Sequence, residues 1–218
     1  MVNGKQVQRI IGADVLDSVN QFDGRNATSG ILTLDFERYG LLTRAGSELT
    51  VIDTTAQAVQ PISTLTLEID IDGAAAAPVL SAPKALQSGA AANSNPLLKH
   101  VRVFGKDPTG AGEYEISDLP KFGAINRVLF KSSAVINNIK LKRDGFDVFD
   151  RSKAENEVIQ ADGVRVPQAG YYVVDFSEEG MGQEFLEVSG SQDVRFTLDM
   201  AGAAHIDVIV EYLNTLNG

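Results

Sequence analysis

The sequence predicts an all-β protein made of two copies of one β-sandwich domain, the first copy incomplete. Three observations carry this. A set of features occurs twice in one order, apolar and polar residues alternate at a period of two, and helix signals are confined to two short stretches. In the first copy, Val2-Asn3-Gly4-Lys5 reads as a tight turn. A helical stretch follows, then Phe22-Asp23-Gly24, then strands over Gly30–Glu37 and Ser63–Asp70. In the second copy, Lys142-Arg143-Asp144-Gly145 reads as the turn. A helical stretch follows, then Ala161-Asp162-Gly163, then strands over Gly170–Ser177 and Val194–Met200. Three of the four counterparts lie about 140 residues apart, and a shorter loop accounts for the closer spacing of the fourth. One match would be noise; four in the same order indicate a duplication.

Taken in chain order, Asn3-Gly4 suits a type I′ turn, which needs positive φ at both central residues. The first helix is expected over Asp14–Gln21, stopping at Asp23-Gly24. In the strand that follows, Leu32, Leu34 and Phe36 share one face and Thr33 and Asp35 the other. Leu65, Leu67 and Ile69 alternate likewise with Thr66, Glu68 and Asp70. Such alternation marks a sheet with one buried and one solvated face. The stretch Gly73 to Pro96 is rich in Ala, Gly, Ser and Pro, the composition of a linker or long loop. Val79-Leu80 within it is a candidate last strand of the first copy. The domain boundaries follow: 1–82 for the first domain, 83–96 for the linker, 97–218 for the second.

The second copy carries further strand candidates at Leu98–Phe104, Arg127–Lys131 and Val135–Leu141, all ahead of its turn at Asp144-Gly145. Ser152-Lys153-Ala154-Glu155 has the spacing of a capping box, in which hydroxyl and carboxylate each satisfy the other residue's backbone N–H. It opens a helix expected to run to about Gln160. In the last strand, Ile206, Val208, Val210 and Tyr212 alternate with His205, Asp207, Ile209 and Glu211. Roughly 45 residues precede the second turn, whereas only Met1–Asn3 precede the first. The expectation is that the early strands of the first copy are missing from this chain and that Met1 is an internal start. A sandwich without those strands would leave open edges and a half-covered core.

Composition narrows the function classes. The net charge of −10 argues against a phosphate-tracking surface, because nucleic-acid affinity rests on Lys and Arg neutralising phosphates. There is no cysteine, hence no disulfide framework and no thiolate chemistry. No apolar run reaches the roughly 18 residues of a membrane span, and no apolar region of a signal peptide follows Met1-Val2-Asn3-Gly4-Lys5. The absence of Trp weakens a sugar-stacking reading.

The candidate chemistry is thin. The two histidines, His100 and His205, read as an edge and a surface residue, and no Gly-x-Ser-x-Gly elbow accompanies them. Asp70-Ile71-Asp72-Gly73 begins like a calcium loop but runs into Ala74–Pro78 where ligands are needed. Gly180-Met181-Gly182 follows a strand without the third glycine and helix of a dinucleotide site. Asn26-Ala27-Thr28 is a formal glycosylation sequon with no secretion signal. Acidic residues are plentiful, but most fall on the expected solvent phase of strands, and nothing singles out a catalytic pair. No catalytic, cofactor-binding or metal-ligating residue is therefore assigned. Calcium between acidic subunits is compatible with the composition, with no residues to hold it identified.

Several runs resemble one known family. Lys142-Arg143-Asp144-Gly145-Phe146-Asp147-Val148-Phe149-Asp150-Arg151 resembles a signature of the phage coat protein P2 family. So do the run from Gly163 to Phe176 and the closing segments Gln192–Leu198 and Ile206–Leu213. Asn3-Gly4-Lys5 and Thr64–Ile71 fit the middle and end of that family's first domain. The likeness covers most of the chain and is strongest over residues 97–218.

The resemblance implies a double jelly-roll: two eight-stranded sandwiches side by side, grouped as pseudo-hexagonal homotrimers that tile an icosahedral shell over an internal membrane. The expected role is the major capsid protein of a tailless phage or prophage, made in the bacterial host cytoplasm and located in the virion. Its partners would be neighbouring trimers and vertex or membrane proteins, with no enzyme activity, cofactor, transmembrane segment or direct nucleic-acid contact. The linker, the two helices and the loops Asp107–Gly112 and Glu178–Glu184 would then carry intersubunit contacts. The alternative is a tandem β-sandwich adhesin or carbohydrate-binding spike or tail module. An enzyme ranks third, and would need a pocket with strongly perturbed carboxylates.

Overall fold

The computed structural model describes residues 1–10, 12–25, 30–38, 40–54, 62–81 and 97–216. The proposed linker 83–96 and the sequon at Asn26 lie outside the described residues. Every named strand falls in the second half: β1 (Leu98–Lys106), β2 (Gly112–Ile116), β3 (Ala124–Ser132), β4 (Ile136–Arg143), β5 (Phe146–Ser152), β6 (Tyr171–Asp175), β7 (Leu186–Glu187), β8 (Val194–Met200) and β9 (Ile206–Asn214). All pairings are antiparallel. One sheet has the order β1-β9-β3-β6, with the short β7 added on β3; the other has the order β2-β8-β4-β5. The chain therefore changes sheet at nearly every connection, staying within one only between β4 and β5 and between β6 and β7. Eight strands wound this way into two facing sheets make a jelly roll.

The β4–β5 hairpin is set by its turn. Asp144 (φ 50°) and Gly145 (φ 86°) both adopt the left-handed conformation that Asp-Gly favours. Helix α3 (Lys153–Gln160) follows directly, and its capping box is formed: Ser152 Oγ accepts from Glu155 N, and Glu155 Oε2 accepts from Ser152 N at 2.8 Å.

The two sheets bury different numbers of faces. In β8 the inward residues Val194, Phe196, Leu198 and Met200 alternate with half-exposed Arg195, Thr197 and Asp199, so this sheet is apolar on one side. In β3 all of Ala124–Phe130 are buried. One face of β3 (Ile125, Val128, Phe130) joins the core between the sheets with Ile139, Leu141, Phe196, Leu198, Val208, Val210 and Tyr212. The other face is covered by the N-terminal region. There Val101, Leu129, Tyr171, Val173 and Ile209 pack against Val15 and Phe22 of helix α1 (Ala13–Phe22).

The first half departs from expectation. The turn at Asn3-Gly4 is present, with φ of 47° and 75°, and the first helix is present and slightly longer than expected. A further short helix, α2 (Arg44–Glu48), is capped by Thr43. The expected strands at 30–37 and 63–70 do not form among the described residues. Val2 bridges Lys5 and Leu65, and Gln8 bridges Val101, and no ladder develops. Alternation creates a strand only where a partner supplies backbone groups. Leu32, Leu65, Leu67 and Ile69 are accordingly exposed, as are Val79 and Leu80. In the second half, β2 and β7 escaped the sequence reading, and β5 was implied only by the hairpin turn before it. β2 is a mostly exposed edge strand bearing Glu113 and Glu115, and β7 is two residues long.

Leu198 is fully buried between the sheets. Leu198→Ala is expected to lower stability by about 3 kcal/mol, the usual range for a core leucine left as a cavity. The urea midpoint should fall with an unchanged m-value.

Candidate functional site

The outer face of the β1-β9-β3-β6 sheet carries a row of charge where apolar residues would be expected. Register places Val101, Glu211, Arg127 and Asp175 side by side across β1, β9, β3 and β6. Glu211 and Asp175 are 2% and 5% exposed, and Arg127 is 5% exposed. A β-bulge between Ile125 and Arg127 shifts the β3 register, so Asn126 also reaches Glu211, its Nδ2 donating to Oε2 at 3.1 Å.

Arg127 is the centre of this row. Its Nη1 and Nη2 donate to the two carboxylate oxygens of Asp23 at 2.5 and 2.8 Å, a two-pronged contact that fixes the end of α1 on the sheet. Nη2 also donates to Glu211 Oε1 at 3.0 Å, and Nε lies 2.8 Å from Glu211 Oε2. Burial alone would raise the Glu211 carboxyl. The Arg127 charge overrides it and holds the group down at about 2. Burial likewise opposes the Arg127 cation, and Asp23 and Glu211 more than restore it, leaving it firmly charged.

Arg165 extends the network. Its Nε donates to Asp175 Oδ2 at 2.6 Å, its Nη1 to Asp162 Oδ2 at 2.7 Å, and its Nη2 to Ser177 O. Next to it, Val166 N donates to Phe22 O at 2.8 Å, tying the loop after α3 to α1. Arg38, 3% exposed, reaches from the N-terminal region to the loop after β6, donating to Gly182 O at 2.6 Å and Glu184 O at 2.9 Å. Thr43 Oγ1 donates to Met181 O, and Leu42 N to Gly180 O at 2.6 Å. Gly46 and Gly182 meet backbone to backbone: a Cβ on Gly182 would lie 2.4 Å from Gly46 Cα. The gap left between the charged side chains is about 10 Å³, enough for one water and too small for a substrate.

The residues singled out from sequence lie elsewhere or play other parts. His100 sits on the edge strand β1 as expected, but it is buried edge-to-face against Phe122 rather than exposed, and burial lowers its pKa. His205 is exposed, with Nδ1 2.6 Å from Asp107 and Nε2 3.3 Å from Asp207. Asp72 closes a turn, its Oδ1 accepting from Ala74 N at 2.8 Å. Gly180-Met181-Gly182 and the Glu178–Glu184 loop are engaged by the chain's own N-terminal region. Glu211 and Ile209, expected on a solvent face, are buried because α1 and its flanks cover that face. The seam residues Asp23, Arg127, Arg165, Asp175 and Glu211 were missed. The readable signal was Arg127, a lone cation inside the apolar run from Ala124 to Phe130.

The seam joins two stretches of sequence that match the two domain models of one family. Residues 98–216 match the model of the viral coat protein P2 C-terminal domain, and residues 1–86 that of the viral coat protein P2 N-terminal domain. The chain belongs to the viral coat protein P2 family. No curated protein matches it. Among solved structures, the major capsid protein P2 from Bacteriophage PM2 is similar at 27% identity and a TM-score of 0.50, over 59% of this chain and 49% of that one. The STIV MCP is 13% identical with a TM-score of 0.44, over 54% and 41%. A structure of Sulfolobus Turreted Icosahedral Virus is 13% identical with a TM-score of 0.45, over 54% and 38%. The chain thus spans about half the length of the PM2 protein. In this chain, Asp23 and Arg38 come from the N-terminal match, and Arg127, Arg165, Asp175 and Glu211 from the C-terminal one.

Arg127→Met would strand Asp23 and Glu211 as buried, uncompensated charges, at a cost of roughly 3–5 kcal/mol. Adding Glu211→Met and Asp23→Leu should recover most of it, read as urea midpoints. Acid provides a second test. Glu211 is held below its ordinary 4.5, so its stabilisation is complete above that value and is lost as pH falls from 4.5 towards 2. The loss is of order 3 kcal/mol. Glu211→Gln should flatten the stability profile across that window.

Proposed function

We propose that this protein is the major capsid protein of a tailless icosahedral phage with an internal membrane, and that it works by tiling. The observation that carries the reading is the match of both halves to the two coat domains of one family, the second half being a jelly roll. In this reading residues 1–82 belong to the first jelly roll, 83–96 link, and 97–218 form the second. The protein assembles as pseudo-hexagonal homotrimers that meet neighbouring trimers and vertex or membrane proteins in the virion. It performs no catalysis.

Features of the surface support a tiling role. The outer face of the β2-β8-β4-β5 sheet is a wall of cross-strand ion pairs. Glu115 and Arg195 lie 3.1 Å apart, Lys140 is 3.1 Å from Asp147 and 3.4 Å from Asp150, and Asn138 donates to Asp150 at 3.0 Å. At its margin Phe146 on β5 is 78% exposed, and Val158 on α3 is 76% exposed. Exposed anchors beside a polar wall suit intersubunit contact. No described helix is long and apolar enough to cross a membrane.

The test is the assembly state of the purified full chain. Light scattering is expected to give trimers that associate further with concentration. A strict monomer that hydrolyses a substrate would overturn the reading. Phe146→Asp is expected to weaken higher association while leaving the unfolding free energy within about 0.5 kcal/mol of the parent, as for a surface change.

A further inference from the structure

Helix α3 is built inside out. Its sequence is Lys-Ala-Glu-Asn-Glu-Val-Ile-Gln, and it buries Asn156 and Gln160 while Val158 is 76% and Ile159 47% exposed. A surface helix held by packing does the reverse and turns its aliphatic side chains inward. The buried amides of α3 meet the outer edge of β6. That strand pairs with β3 on one side, and among the described residues no strand pairs with the other. Ser132 N donates to Gly170 O at 2.9 Å, and alternate residues of a strand share an edge, so Gly170, Tyr172 and Val174 turn their backbone groups to β3. Tyr171 and Val173 turn theirs away. Lys153 Nζ donates to Tyr171 O at 2.7 Å, and Asn156 Nδ2 and Gln160 Nε2 both donate to Val173 O, at 2.6 and 2.9 Å.

We propose that α3 is a guard on this edge. Its amide and ammonium groups occupy the carbonyls with which a strand of another chain would pair. A sheet edge with free backbone groups is a template for such pairing, and a covering helix closes it. The amides are held in the orientation the task needs. Arg151 Nη1 donates to Asn156 Oδ1 at 3.4 Å and to Glu178 Oε2 at 2.8 Å, and Glu178 Oε1 accepts from Gln160 Nε2 at 3.2 Å. With its oxygen engaged by Arg151, Asn156 presents its nitrogen to Val173 O. The helix is placed by its own sequence, because the capping box at Ser152 starts it where β5 ends.

The same contact occurs in the first half of the chain. Asn20 of α1 is buried, and its Nδ2 donates to Thr33 O at 3.0 Å. Arg25 Nη2 lies 3.0 Å from Asp35 Oδ1, as Arg165 Nε lies 2.6 Å from Asp175 Oδ2. Asn20, Arg25, Thr33 and Asp35 precede Gln160, Arg165, Val173 and Asp175 by about 140 residues each, the interval of the duplication. The two helices otherwise differ, since α1 also packs Val15 and Phe22 on a sheet face. An amide donated to this one carbonyl is what they share, so it is no by-product of how α3 alone packs. The guard does not depend on the coat reading.

Asn156→Leu combined with Gln160→Leu removes the donors at similar volume. In the full chain this double variant is expected to associate beyond the parent's own assembly state at least tenfold faster, read by light scattering at equal concentration. Amide exchange locates the new contact. Residues 168–176 should be more protected in the associated form than in the parent, with β8 and β9 unchanged. Ser152→Ala loosens α3 at its first turn without touching β6, and should give the same added protection at a smaller rate. Parental association in both variants, or faster association without added protection at 168–176, would overturn the proposal. Where the double variant does not fold, Ser152→Ala decides by the same two readouts.

Discussion

One buried cation organises this molecule. Arg127 lies in the middle of a strand whose two faces are both covered, so its charge must be answered within the protein. Leaving such a group unpaired costs several kcal/mol, while pairing it with good geometry roughly offsets its desolvation. The value of the arrangement lies in specificity. Glu211 supports Arg127 from within the sheet, and Asp23 supports it from outside. Asp23 follows directly on α1, so only one placement of the N-terminal region both covers the apolar patch of Leu129, Val173 and Ile209 and neutralises the arginine.

That placement explains the difference between the sheets. The β2-β8-β4-β5 sheet has one buried face, and its strands keep the alternation of a half-solvated sheet. The β1-β9-β3-β6 sheet is an interior layer, and its strands read as continuous apolar runs broken by charges that are matched in space. Arg38 and Arg165 extend the logic to the loops. Arg38 donates to carbonyl oxygens of the turns after β6 and ties them to the N-terminal region, while Arg165 divides its donors between the Asp162 and Asp175 carboxylates and the Ser177 carbonyl, joining β6 and its turn to the loop after α3. Gly46 and Gly182 allow the backbones to touch where those loops meet.

Much of this was legible in the sequence where local signals decide. Asp144-Gly145 set its hairpin, Ser152 and Glu155 set α3, and the alternation from Val194 to Met200 set β8. The signals failed where burial is decided at a distance. Ile209 and Glu211 sit on the polar phase of β9, and only the arrival of α1 turns that phase inward. Leu65, Leu67 and Ile69 have the pattern of a strand, but a pattern supplies no partner. The charged seam was hidden because its members lie far apart in the chain, from Asp23 to Glu211, and each looked like an ordinary surface residue. Arg127 within Ala124–Phe130 was the exception, a local contradiction that pointed to a partner elsewhere.

Under the proposed coat role, two kinds of exposed surface divide the labour. A sheet face laced with cross-strand ion pairs resists nonspecific adhesion, because every like-charge approach is penalised and no apolar patch is offered. Isolated apolar side chains at its margin, Phe146 and Val158, provide anchoring points that a rigid sandwich holds in fixed positions.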